Sequence, residues 1–325
     1  MTPAKPWVSI ALLSVFAALV LLLAPCVGMQ WIWPWLDPWG SLDAGILWEI
    51  RVPRVLASFL TGAGLAVCGM VFQALFRSPL ASPFTFGVAS GASFGSVLAI
   101  ILGEFLPFYG ASGLFALLGA AFTVVLVYRL ATWGRHFSIS TLLLAGVAIN
   151  YFFGSAVTFI QYLSDFTNVF RILHSLMGGF EGVGMDALWQ LIPFVIPGMI
   201  LIACLPYELN LLSMGDDIAA SRGVHLNRTR KLLFFGTSVT VGGIVAVCGP
   251  IGFVGLMAPH IGRLMVGNDH RYLMIVSALL GGSLLTLCDT LSRTVIAPAE
   301  IPVGVVTSLL GCPFFVWLLL RQKRP

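Results

Sequence analysis

Side chains able to do chemistry are few in this sequence and lie far apart. The five histidines and six cysteines form no HExxH or CxxC pair, and the sequence has no phosphate-binding GxxxxGK[S/T] loop and no nucleophile elbow. The cysteines stand singly inside apolar runs, which is typical of small buried residues, and we interpret His260, which follows Pro259, as a hydrogen-bonded packing residue. We therefore expect a protein that is not an enzyme, does not hydrolyse ATP itself, and needs no metal or cofactor.

Asp289 is the one carboxylate placed inside a long apolar run. An ionisable group at membrane depth is a functional candidate by default, and an ion-driven pump usually carries several of them. Asp289 stands four residues before Arg293, on the same face of a helix, so we expect a structural i,i+4 ion pair. A proton or ion relay is the alternative.

Residues 206–231 form the longest of the connections that are predicted below to be cytoplasmic. Asp216 and Asp217 favour a helix N-terminus there, the small residues that follow can continue the helix, and Gly223 can end it. We expect a short exposed helix suited to docking a partner protein. A solvated connector is the alternative.

Arginines form a second constellation. Arg51 and Arg54 stand just before one apolar run, and Arg293 lies at the end of another. The planar fork of a guanidinium binds a carboxylate through two hydrogen bonds, so we expect these arginines to be exposed, fixed cations that suit an acidic protein partner. Contact with lipid phosphates is the alternative.

Composition determines the elements that must position these residues. The chain has 325 residues, of which 58% are hydrophobic and 9% charged, whereas soluble domains carry about 25% charged residues. Water cannot solvate a surface this apolar, so lipid must. We expect an all-α polytopic membrane protein with a single transmembrane domain over residues 1–325.

Ten continuously apolar runs can each supply a membrane helix, since a bilayer core of about 30 Å needs roughly 20 residues. They cover residues 8–27, 55–76, 84–102, 112–128, 140–163, 188–205, 232–248, 253–266, 272–295 and 303–320. Pro193 and Pro197 predict a kink in the sixth run. The first run is longer than the about 7–15 residues of a signal-peptide core, so we interpret it as a retained span.

When the ten runs are placed as successive membrane crossings, most lysines and arginines lie on one side of the membrane. With the N-terminus in the cytoplasm, thirteen of them lie inside, and only Arg51, Arg54, Arg171 and Arg293 lie outside. This bias predicts that both termini and the connection 206–231 are cytoplasmic. Five tryptophans within residues 30–50 predict a stretch along the outer headgroups.

A weak internal similarity relates residues 65–69 to residues 245–249. Each copy precedes a Pro/Gly-rich break and a further apolar run. The second run crosses inward and the seventh outward, so the copies would be inverted, which is a common plan among transporters. Chance similarity between small apolar residues is the alternative.

Several stretches in order resemble the FecCD family of permeases, the membrane subunits of type II ATP-binding-cassette importers for iron–siderophores, haem and vitamin B12. The matching stretches are residues 51–57, 76–83, 87–92, 249–256, 258–264, 299–307 and 311–315. The resemblance extends from about Arg51 to Arg321. It is specific because the stretches all occur in the order of the family.

The resemblance implies about ten transmembrane helices in the cell's inner membrane, with helices two to five and seven to ten related by inversion. It also implies three kinds of partner. A second permease subunit, identical or paralogous, would pair with this chain, two cytoplasmic ATPase subunits would dock below, and a periplasmic or lipid-anchored binding protein would deliver the cargo.

The resemblance further implies roles for single residues. Arg51, Arg54 and Arg293 match arginines that meet acidic residues of the binding protein, whereas Arg171 matches no motif. Ser78, Leu80 and Ser140 are expected near the cytoplasmic gate. The contact with the ATPase subunits falls on residues 212–223, here named the coupling segment: Leu212, Ser213, Met214, Gly215, Asp216, Asp217, Ala219, Ala220, Arg222 and Gly223.

The expected cargo is a metal chelate. An iron(III)–siderophore is the first choice because it is the commonest cargo of the family, and haem or vitamin B12 is the alternative. The rival from another class is an ion-coupled secondary transporter, which is disfavoured because it would need several buried ionisable relays.

Overall fold

The computed structural model describes residues 6–28, 45–103, 111–131 and 139–322. Within these ranges the chain forms thirteen α-helices and no strand, which confirms the all-α prediction. A 3₁₀ turn (Ala24–Cys26) follows the first helix, and a π-helical turn (Ile46–Arg51) precedes the second. The helices are α1 Pro6–Leu23, α2 Val52–Leu75, α3 Val88–Leu102, α4 Ala111–Ala131, α5 Ile139–Leu163, α6 Phe166–Met177, α7 Met185–Ala203, α8 Pro206–Met214, α9 Asp216–Ser221, α10 Leu226–Cys248, α11 Val254–Val266, α12 His270–Ser292 and α13 Val303–Gln322.

Seven helical segments within the described ranges are long and apolar enough to cross a membrane, and three shorter apolar helices accompany them. Each of the ten predicted runs overlaps one of these ten helices. The prediction of ten membrane crossings stays a prediction. Most of the predicted tryptophan-rich stretch lies outside the described residues.

The described residues group into two compact units. The first comprises those within Met1–Met70, Gly179–Pro193 and Ile251–Pro325, and the second those within Val71–Gly178 and Phe194–Pro250. This division does not test the predicted single domain over residues 1–325 or the predicted inverted repeat. Both stay predictions.

Small residues let the helices of the first unit approach closely. A Cβ atom on Gly69 would overlap the backbone of Gly255, and one on Gly62 would overlap the backbone of Gly281. Close backbone approach at small residues is the usual way in which helices pack in lipid, where the hydrophobic effect gives no drive. These contacts join α2 to α11 and to α12, and α12 also packs on α1 and α13.

The second unit is built on α3, α4 and α10, which pack against one another. Gly91 and Gly119 meet backbone to backbone between α3 and α4. Three helices of this unit, α6, α8 and α9, fall outside the ten predicted runs. Helix α6 is the first of them along the chain. It begins after Asp165, buries Ile172 against Val97 and Val157, and ends at Gly178, whose φ is 65°.

Candidate functional sites

Arg54, in the first turn of α2, lies between two carboxylates of the first unit. Its Nε and Nη2 donate hydrogen bonds of 2.9–3.2 Å to Asp289, and its Nη1 and Nη2 donate bonds of 3.2 and 2.8 Å to Glu300. Arg54 is 7% exposed and Asp289 is fully buried, whereas the Glu300 side chain is 33% exposed. The guanidinium is therefore paired on two edges, as a buried charge requires.

Two further arginines, Arg51 and Arg293, bind the 3₁₀ turn that follows α1. Arg293 donates from Nη2 to the carbonyl oxygen of Ala24 at 2.6 Å, and Arg51 donates from Nη1 to the carbonyl oxygens of Pro25 and Cys26 at 3.3 and 3.5 Å. The last carbonyls of a helix lack intrahelical partners and carry partial negative charge, so cations are favourable there. We name Arg51, Arg54, Arg293, Asp289 and Glu300 the arginine cluster; three cations and two carboxylates leave one formal positive charge.

The structure changes the interpretation of these residues in two ways. The predicted pair of Asp289 with Arg293 is present, with Nε 3.9 Å from the carboxylate, but Arg54 is the closer partner of Asp289. The expectation of exposed guanidiniums is wrong for Arg54 and Arg293, which are 7% and 8% exposed in this chain because its own carboxylates and carbonyls engage them. Arg51 is half-buried. The docking role of all three stays a prediction.

The coupling segment, in the second unit, folds as two short helices joined by a sharp turn. Helix α8 ends at Met214, Gly215 turns the chain with a φ of 137°, and α9 begins at Asp216. Gly223 then stops the segment with a φ of 83°, while the Val224 amide donates to the Ala219 carbonyl at 3.0 Å. This is the glycine-terminated helix end that the sequence predicts.

Burial divides the coupling segment into an anchored side and a free side. Leu212 and Ala219 are buried, whereas Met214 and Ile218 are 65% and 46% exposed. The other predicted members that are exposed are Ser213, Asp217, Ala220, Arg222 and Gly223. Exposed apolar side chains on a short helix fit the predicted docking helix.

Asp216 binds two arginines of this chain, although its side chain is 38% exposed. Its Oδ1 accepts hydrogen bonds from Nη2 of Arg230, at 2.5 Å, and from Nη2 of Arg77, at 3.2 Å. Arg230 lies in α10, and its side chain is 13% exposed, whereas that of Arg77 is 41% exposed. Asp216 thus ties the coupling segment to two other parts of the second unit.

Arg77 has an unusual backbone. Its φ is +47°, and the Ser78 amide donates to the Gln73 carbonyl across it at 3.2 Å. This helix end normally places glycine at the left-handed position, and a side chain there costs about 1–2 kcal/mol. The chain accepts this strain in the stretch that follows α2.

The loop after Arg77, residues 78–87, is named the gate loop because it carries the predicted gate residues Ser78 and Leu80. Ser78 is half-buried and Leu80 is 49% exposed. Asn150, in α5, donates from Nδ2 to the carbonyl oxygens of Phe84 at 3.0 Å and Thr85 at 3.4 Å. Sequence reasoning missed Asn150, although an amide inside an otherwise apolar run was a signal.

Ser140 lies in the first turn of α5, but its side chain is outside the described part of the structure. Its predicted place at the gate therefore stays a prediction. Among the described residues, no group of three or more histidine, cysteine or carboxylate side chains is placed to hold a metal ion.

His260 and four of the six cysteines pack as the sequence predicts. His260 contacts the ring of Phe314 edge-on, with the centroids 6.1 Å apart, as a packing residue would. Of the six free cysteines four are buried, whereas Cys204 and Cys312 are exposed, so the prediction of burial is wrong for these two. Cys204 lies in the turn between α7 and α8, and Cys312 lies in α13.

Comparison with known proteins agrees with this architecture. The model of the FecCD transport family matches residues 10–321. The vitamin B12 import system permease protein BtuC of Escherichia coli O9:H4 (strain HS) is 42% identical over 314 residues, which cover 96% of this chain and 94% of that protein. BtuC of Escherichia coli O6:H1 (strain CFT073) has the same identity and coverage.

Two solved structures have the same fold. One, described as an inward-facing conformation of a candidate metal-chelate type ABC transporter, superposes with a TM-score of 0.88 and is 30% identical, over 96% of this chain and 98% of that chain. The other, PsaBC from Streptococcus pneumoniae in complex with Fab, is 15% identical, with a TM-score of 0.56 over 84% of this chain and 92% of that chain. This chain therefore belongs to the FecCD transport family: it is a multi-pass membrane permease of an ATP-binding-cassette importer and not an enzyme.

Proposed function

We propose that this chain is the permease subunit of a vitamin B12 importer. The observation that carries the proposal is the 42% identity to vitamin B12 permeases over 96% of the chain. This choice replaces the iron–siderophore preference of the sequence analysis, which rested only on how common that cargo is in the family. An iron chelate or haem is the second candidate, favoured by the likeness to a structure described as metal-chelate type.

The partners follow from the class of transporter. A second permease subunit would pair with this chain, an ATPase subunit would dock on the coupling segment of each permease subunit, and a binding protein would deliver cobalamin to the arginine cluster. Both termini and residues 206–231 would then face the cytoplasm, in accordance with the distribution of lysine and arginine.

The arginine cluster supports the docking proposal through its charge. Arg51, Arg54 and Arg293 hold one formal positive charge beyond Asp289 and Glu300, and Glu300 is the more exposed of the two carboxylates. An acidic residue of the binding protein would be attracted to this charge and would share the guanidinium fork of Arg54 with Glu300. Rim charges act largely through steering, so docking should weaken as salt concentration rises.

The coupling segment supports the ATPase proposal through its shape. Leu212 and Ala219 fix the segment to the second unit, while Met214 and Ile218 present apolar surface. An exposed apolar surface of this kind fits an apolar cleft on a cytoplasmic subunit. ATP-driven movement of that subunit would displace the segment.

Transport by the reconstituted complex tests the proposal. Proteoliposomes would contain this chain, its ATPase and its binding protein, and uptake of labelled cobalamin, ferric siderophore and haem would be compared. We expect ATP-dependent uptake of cobalamin, and none when the ATPase carries a disabled phosphate-binding loop. Uptake of the siderophore or haem in place of cobalamin would contradict the proposed cargo. Uptake by this chain alone, without nucleotide, would contradict the transporter class.

A further inference from the structure

Within the second unit, an unbroken set of contacts joins the coupling segment to the gate loop and to α5. Asp216 binds Arg77, Arg77 directly precedes the gate loop, and Asn150 holds the far side of that loop. We propose that Arg77 is a positioning residue that transmits displacement of the coupling segment to the gate loop. This inference rests on the proposed function, because it concerns how ATP-driven movement opens the gate.

The backbone of Arg77 is the first argument. Glycine would end α2 without strain, yet an arginine occupies the left-handed position, with a φ of +47°. Strained positions persist where the side chain serves a purpose that the strain-free residue cannot. At Arg77 the purpose that the contacts show is the bond of the guanidinium to Asp216.

The position of the guanidinium is the second argument. Besides binding Asp216, its Nη1 lies against the turn at Gly215, where an added Cβ would be 3.8 Å away. Gly215 is the hinge between α8 and α9, with a φ of 137°. Arg77 therefore contacts the coupling segment at the point where its two helices change direction.

The stiffness of the gate loop is the third argument. The hydroxyl of Thr85 donates to the Ser82 carbonyl at 2.7 Å and accepts from the Ser82 amide at 3.2 Å. The ring of Phe86 stacks on that of Phe76, with the centroids 4.3 Å apart. A loop held at these points and by Asn150 moves as one piece when it is pulled at Arg77.

Stability does not explain the contact between Arg77 and Asp216. The two side chains are 41% and 38% exposed, and ion pairs exposed to this degree contribute little to folding. We therefore attribute to this contact a role in transmitting movement between the two segments rather than a contribution to folding stability. It also means that reversing the charge of Asp216 would act inside this chain, whereas Asp217, its exposed neighbour, is the matched control for contact with the ATPase.

The test replaces Arg77 in the reconstituted complex and measures cobalamin imported per ATP hydrolysed. Arg77→Gly removes the guanidinium and the backbone strain together, so the melting temperature should stay equal or rise. We expect the import per ATP to fall by about tenfold, within the range typical of coupling between sites. The ATPase subunits should still copurify at the ratio found for the unchanged complex.

A double-mutant cycle keeps the proposal falsifiable. Arg77→Gly should have a much smaller effect on import per ATP in an Asp216→Ala background, because the acceptor of the Arg77 hydrogen bond is already absent there. Arg77→Lys, which keeps the charge without the fork, should retain part of the import per ATP and serves as the second variant. Unchanged import per ATP in Arg77→Gly, or additive losses in the cycle, would overturn the inference.

A distance measurement tests whether the gate loop and the coupling segment move together. Spin labels at Leu80→Cys and Met214→Cys, both exposed positions, report on the gate loop and the coupling segment after the exposed Cys204 and Cys312 are replaced by serine. The distance between the labels should keep one narrow distribution with and without nucleotide, and Arg77→Gly should broaden it. An unaltered distribution in Arg77→Gly would contradict the inference. Failure of cobalamin uptake in the unchanged complex would instead contradict the proposed function.

Discussion

Asp289 shows how much a single buried carboxylate contributes to this molecule. It is fully buried, and it accepts hydrogen bonds from Arg54 while also lying 3.9 Å from Arg293. A buried ion pair gives little net stabilisation over an apolar pair, but removal of one partner leaves the other charge uncompensated. Arg54 would be left with Glu300 alone.

The first prediction concerns this carboxylate. Asp289→Asn should lower the free energy of unfolding by about 3–5 kcal/mol, because a buried guanidinium loses its main partner. Glu300→Gln is the control and should cost about 1 kcal/mol or less, since its side chain is 33% exposed. Thermal unfolding in detergent, monitored by size-exclusion chromatography, compares the stability of both variants with that of the unchanged protein. Equal losses of stability in the two variants would contradict the burial argument.

At this scale the sequence predicted which residues matter better than it predicted their contacts. Spacing alone placed Arg293 on the same helix face as Asp289. The contact with Arg54 joins residues 235 positions apart, and no periodicity carries that information. The predicted exposure of Arg54 and Arg293 was wrong for the same reason. A charged residue near the end of an apolar run is expected to contact solvent unless the distant groups that cover it are known.

Several helices of this protein meet through glycine, with backbone against backbone. Gly69 and Gly255 touch through their backbones in the first unit, and Gly91 and Gly119 do so in the second. In lipid, close packing and weak polar contacts provide most of the association energy, so the separation between helices at these points is critical.

The second prediction follows from this packing. Gly69→Ala should lower the melting temperature and the yield of folded protein, because the added methyl group would overlap the backbone of Gly255. Overpacking of this kind costs about 1–3 kcal/mol. Gly113→Ala, in α4, is the helical control, since its Cβ would meet only one atom, at 3.9 Å, and it should be neutral or stabilising. A neutral Gly69→Ala would contradict the close contact.

Continuous apolar runs predicted the long helices because a helix in lipid must be apolar all round. The coupling segment was predicted from its capping residues, and both Asp216 and Gly223 lie where that reasoning places them. Helix α6 was missed because it is short and carries polar residues among its apolar ones, so it does not form an apolar run.

The whole molecule carries a charge asymmetry that should determine its orientation. Thirteen of the seventeen lysines and arginines lie on one side of the predicted threading. Positively charged loops are retained in the cytoplasm during insertion, so the coupling segment should face the ATPase subunits there.

The third prediction tests this orientation by cysteine labelling. In a variant without native cysteines, Ser221→Cys should react with a membrane-impermeant maleimide only after the cells are permeabilised. Val295→Cys, between α12 and α13 and 65% exposed before substitution, should react in intact spheroplasts. The reverse pattern would contradict the cytoplasmic location of the coupling segment and with it the proposed docking of the ATPase.

The glycine contacts also bear on how this sequence can diverge. Where Gly62 meets Gly281, neither residue has a side chain that could shrink to make room for a larger neighbour, so a compensating second change is not available. The side chains of Tyr151 and Tyr162, in α5, are 76% and 85% exposed, so a change in their size creates no overlap within this chain. A lineage that adopts a new cargo is therefore expected to inherit the glycine pair unaltered, whatever changes at exposed positions of this kind.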